Sequence, residues 1–158
     1  MKDLGLVVRN GLRFGLIGGV FGVIVLAAAI FIAHEYPLSS FSSLTGTVLS
    51  FLIFGAAGRK LAIATKRTTA AWQMGALAGG VSELIRTIAI SVFLSYSPTA
   101  QAAFNRLSPA AQQAASDPGN EIANLAIYLA AAIIFGGLAA WLGAWALLRF
   151  NPPSAPAR

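Results

Sequence analysis

Glu83 and Arg86 are the residues whose types and spacing could do chemistry, because both stand inside a stretch otherwise fit for lipid. The stretch runs from Trp72 to Tyr96 and reads WQMGALAGGVSELIRTIAISVFLSY. About 20 apolar residues at a rise of 1.5 Å cross a hydrocarbon core of roughly 30 Å, so it is long enough to span a bilayer as a helix. A charge at the middle of such a helix costs roughly 2.5–3.5 kcal/mol on insertion scales. Two charges of opposite sign, three apart, sit on adjacent turns of one face and can neutralise each other. Two uses of such a pair are open: an ion-coupling or ligand-binding site, or a structural ion pair that also bonds neighbouring helices.

At 100° per residue, Gly75, Gly79, Ser82, Arg86 and Ala89 fall on one stripe, with Glu83 and Thr87 at its edge. Leu77, Val81, Leu84, Ile85, Ile88 and Val92 take the other side. In a membrane the small and polar face is expected to meet helices and the greasy face to meet lipid. Ser82 and Thr87 are the supporting polar residues of the site.

Further catalytic chemistry has no visible carrier. The chain shows no nucleophile beside a base, no paired carboxylates and no metal-ligand cluster. His34 with Glu35 is two adjacent residues, too few for a metal site. Gly79-Gly80 is not a phosphate loop, since no P-loop lysine follows at the required spacing. With no cysteine in the chain, disulfides and thiolate chemistry are excluded. Neither a cofactor nor an enzymatic activity is expected.

The elements that must position the pair follow from composition. The 158 residues are 57% hydrophobic and 10% charged, against about 25% charged in a soluble domain. Mean hydropathy is +0.74. Too few polar groups exist to coat a globule, so lipid is the expected solvent and the bilayer the first partner. The +6 charge does not indicate nucleic acid, because the basic residues gather at the ends of apolar segments.

Four spans are expected, at about 14–33, 41–60, 72–96 and 122–148. Residues 1–13 form a basic cytoplasmic lead and 149–158 a disordered, proline-rich tail. Phe14 to Ala33 carries no charge and is too long for the apolar core of a signal peptide, so it is read as a retained helix. Gly15, Gly18, Gly19 and Gly22 there, and Gly136 and Gly137 in the last span, are small residues that let helix backbones approach closely. The outer loop, 97–121, holds Ser97-Pro98 and Ser108-Pro109, each a cap followed by proline at the first helical position. Two short helices are expected, then a break at Asp117-Pro118-Gly119.

Lys and Arg number three at the amino end, four in the second-to-third connection and two at the carboxyl end, against none and one in the other connections. The positive-inside rule then puts both termini in the cytoplasm, and the plasma (inner) membrane is the expected location. Trp72, Trp141 and Trp145 fall at the cytoplasmic boundary and Tyr36, Tyr96 and Tyr128 near the opposite one, as interfacial belts require. GLIGGV at 15–20 echoes ALAGGV at 76–81, and FLIFGAAG at 51–58 echoes AIIFGGLA at 132–139, a pattern that duplication of a two-helix hairpin would leave.

In size and in its intramembrane glutamate the chain resembles the small multidrug exporters. Their carboxylate lies in the first helix, which is uncharged here, and the chain is not assigned to them. The fold expected is all-α: a four-helix transmembrane bundle with short helices in the third connection. The role expected is a non-enzymatic structural or assembly subunit, contacting itself as a homo-oligomer or another membrane protein. The alternative is a small oligomeric transporter or channel subunit using Glu83 and Arg86. A cavity reaching Glu83, with polar groups on facing helices, favours transport; a dry, closed pair favours structure.

Overall fold

The computed structural model of the chain describes residues 2–32 and 40–150. His34, Glu35, Tyr36 and the tail from Asn151 lie outside the described residues. Six helices follow in order: α1 (Lys2–Phe31), α2 (Ser40–Thr65), α3 (Thr68–Tyr96), α4 (Pro98–Asn105), α5 (Pro109–Ser116) and α6 (Pro118–Phe150). No strand occurs among the described residues. α1, α2, α3 and α6 are each long and apolar enough to cross a membrane.

The helices run past the expected limits. α1 takes in the basic lead, so Lys2 to Phe31 is one continuous helix. The break at Asp117 is a junction of no extra length. Asp117 ends α5, Pro118 opens α6, and the Asp117 Oδ1 accepts the Gly119 N–H at 2.8 Å. The two serines cap as their spacing implies, Ser97 Oγ accepting from Ala100 N and Ser108 Oγ from Ala111 N, both at 3.3 Å. One device, a short polar side chain ahead of proline, thus starts three helices in succession. It satisfies an orphan N–H while proline occupies a position where no N–H is needed.

Between α2 and α3 only Lys66 and Arg67 intervene. Lys66 takes the left-handed conformation, φ 54°, and its N–H donates to Ala62 O at 2.8 Å. A non-glycine residue there costs about 1–2 kcal/mol, which the tight reversal requires.

α3 packs along α1 on one side and along α6 on the other; α6 packs on α2, and α2 more loosely on α1 and α3. The segments that echo each other in sequence lie across from one another in these pairs, α1 on α3 and α2 on α6. The helix surfaces explain the tightness. A methyl at Gly15 would lie 2.7 Å from Val81 Cβ, and one at Gly19 would lie 2.6 Å from Ile85 Cδ1. Gly75 and Gly79 on α3 meet the backbone of Gly136 and Ala132 on α6, and Gly137 lies under the Trp72 ring.

The expected division of α3 into a helix face and a lipid face is therefore corrected. Leu84, Ile88 and Val92 are exposed. Leu77, Val81 and Ile85, expected to face lipid, instead fill the hollows at Gly11, Gly15 and Gly19 of α1. The glycines supply holes and the branched side chains supply knobs, so α3 buries small residues against α6 and large ones against α1.

The core is uneven along its length. Toward the end holding the α2–α3 turn, Val7, Leu61, Met74 and Ala140 join all four long helices. Toward the other end, Leu26, Ile30 and Ala100 pack with Ile90, Phe93 and Leu94, joining α1, α3 and α4. Among the described residues, α2 and α6 contribute nothing to that second cluster, and the helices part there.

Candidate functional site

The parting leaves a cavity of about 290 Å³ between the long helices. α3 contributes Ser82, Glu83 and Arg86; α2 contributes Thr47, Ser50 and Phe54; α6 contributes Tyr128, Ala132 and Phe135; α1 contributes Gly22 and Leu26. Its size is at the lower end of the range for small-molecule sites, and its wall is mostly apolar with a few convergent polar groups.

At its wall Glu83 and Arg86 form a two-pronged ion pair. Arg86 Nη2 donates to Glu83 Oε1 at 2.7 Å and Nε to Oε2 at 3.0 Å. A helical separation of three puts the two side chains on successive turns, and the planar guanidinium matches both carboxylate oxygens at once. Arg86 Cζ also stands 5.8 Å from the centre of the Tyr128 ring, within reach of the ring's negative face. The side chains stay 24% exposed for Arg86 and 11% for Glu83, so the pair faces the cavity instead of being sealed in packing.

The remaining expected site residues divide by role. Ser82 lines the cavity beside Glu83. Thr87 does not line it; its carbonyl accepts the Ser91 hydroxyl at 3.2 Å. A methyl at Gly22 would come no nearer than 4.0 Å to Arg86 Cδ, so this glycine leaves room beside the arginine stem instead of closing a tight helix contact. Gly79 and Gly136 bring α3 and α6 together at the base of the cavity, while Gly15, Gly18, Gly19, Gly75 and Gly137 serve close packing alone.

Tyr128, Thr47 and Ser50 are the residues sequence reasoning missed. Tyr128, expected near an interfacial belt, also lines the cavity, with Arg86 over its ring. Thr47, Ser50 and Phe54 stand at helical spacing on α2, and the small-and-polar stripe criterion applied to α3 would have found Thr47 and Ser50.

No protein-family model, no curated protein and no solved structure matches this chain.

Proposed function

We propose that this chain is a small, non-enzymatic multi-pass membrane protein whose cavity binds a small amphipathic solute and passes it, as a transporter or channel subunit. One observation carries the reading: the cavity reaches Glu83 and Arg86 and is lined from two facing helices by polar residues, Ser50 on α2 and Tyr128 on α6. Apolar walls with a single zwitterionic pair suit a solute with a greasy body and one polar or charged end. The frame is a four-helix transmembrane bundle in the plasma (inner) membrane, termini cytoplasmic and α4 and α5 outside, with a second copy as its expected partner. What supports this orientation is the gathering of cations at one end. Arg9, Arg13 and Lys60 share a cleft there, and Arg67 reaches Asp3 at 3.5 Å.

A structural or assembly role is the second reading, and the closure of the ion pair favours it. Both Glu83 oxygens are engaged from the same helix, and no buried polar side-chain atom among the described residues lacks a partner. Water access separates the two. Ser50→Cys introduces the sole thiol of the chain, and its reaction with a small charged methanethiosulfonate reagent is followed in membrane vesicles. Transport requires faster labelling there than for Leu52→Cys, on the exposed apolar side of the same helix. Equal, slow labelling at both would leave the structural reading standing.

A further inference from the structure

A second cleft, of about 270 Å³, lies between α1 and α2 at the cationic end, well away from Glu83. Arg9 and Arg13 line it from α1, and Lys60 lines it from α2. Arg9 and Arg13 are four apart, so they share one helix face. No carboxylate lines the cleft, and among the described residues none of the three cations has an ion-pair partner. Asp3, the acidic residue nearest in sequence, pairs with Arg67. The Asn10 side-chain N–H donates to Leu6 O at 2.8 Å, so it holds the wall together and does not compete for the cations. Three cations that line one concave surface, with no ion-pair partner among the described residues, form a site suited to an anion.

We infer that this cleft binds the headgroup of an anionic glycerophospholipid. Depth and lining decide for a lipid over a free anion. On the membrane-spanning reading, Arg13 ends the charged part of α1, and residues 14–32 carry no charge, so the cations stand at headgroup level. Apart from Asn10, the rest of the lining is apolar: Leu6, Leu61 and Ala64. Inorganic phosphate gains nothing from that floor, whereas a glycerol backbone and the first methylenes of an acyl chain cover it. The inference does not depend on the cavity at Glu83 and stands or falls apart from it.

The test uses the full chain purified in a neutral detergent, where insertion orientation plays no part, with lipid adducts counted by native mass spectrometry. Dioleoyl phosphatidylglycerol is expected to bind at least about tenfold more tightly than dioleoyl phosphatidylcholine. Arg13→Gln and Lys60→Gln are each expected to weaken it about fivefold, the effect of one juxtamembrane cation. Both side chains are exposed, so both variants should fold, and circular dichroism checks that they do. Arg149→Gln removes the same charge from the last turn of α6, outside the cleft, and is expected to leave binding unchanged. An equal loss in Arg149→Gln would replace the site by diffuse attraction. Equal binding of the two lipids, or full displacement of phosphatidylglycerol by millimolar sodium phosphate, would overturn the lipid assignment.

Discussion

Arg86→Met should destabilise the protein more than Glu83→Gln, and the double variant less than Arg86→Met alone. Two unit charges about 4 Å apart attract by about 4 kcal/mol at an effective dielectric constant of 20. Breaking a buried pair by removing one partner costs about 3–5 kcal/mol, mostly through the charge left behind. Exposure of 24% for Arg86 and 11% for Glu83 puts the present case at the low end of that range, since neither group is fully buried. The two orphans are not equal. After Glu83→Gln, Arg86 keeps an amide oxygen to donate to and the Tyr128 ring 5.8 Å away, so a loss of about 1–2 kcal/mol is expected. After Arg86→Met, Glu83 loses both donors that hold its oxygens, and about 3 kcal/mol is expected. Unfolding of the four chains in mixed micelles, assembled as a double-mutant cycle, reads these differences. A coupling of at least about 1 kcal/mol is required by the local fork. Additive losses, or Glu83→Gln the worse of the two, would mean that each residue depends on another helix and would refute the reasoning. A stable double variant that loses a transport or growth phenotype would make the pair functional; without a phenotype the pair is structural.

Two further outcomes follow from packing and charge. Gly79→Leu should unfold the α3–α6 contact, because the new side chain meets the backbone of Ala132. Gly19→Leu should cost less, because the flexible Ile85 can yield, and Gly22→Ala and the exposed Leu84→Ile should stay within about 0.5 kcal/mol of the parent. Melting in detergent ranks the four, and equal losses in all would sink the assignment of faces. Single cysteines at Thr68 and Gln112, placed in the cysteine-free chain, should divide by side: an impermeant thiol reagent added to intact cells should label Gln112→Cys and spare Thr68→Cys. Labelling of Thr68→Cys from outside would reverse the orientation.

The linear order of residues decided which segments are helices, but not where they end: α1 takes in the basic lead and α2 runs on to Thr65. Apolar runs of about 20 residues have no other stable form in lipid, and a capping side chain ahead of proline starts a helix by local bonds alone. That is why Ser97 and Ser108 were legible as caps, and why the Glu83–Arg86 pair, three apart on one helix, could be assembled from spacing. Partner choice was not legible. Glycine and branched residues on α3 mark two different surfaces, but a sequence does not say whether Leu77, Val81 and Ile85 face lipid or the glycines of α1, since both are apolar surroundings with nearly the same transfer energy. Only three-dimensional packing, in which the α1 glycines leave holes of the right size, separates them. The cavity, likewise, is a place where helices part: Tyr128 and Ser50 are 78 positions apart and share it only because α2 and α6 are absent from the core cluster at the end of the bundle away from the α2–α3 turn. Local bonding wrote the helices into the chain, and the long-range fit of one helix surface to another decided which side chains face the space between them.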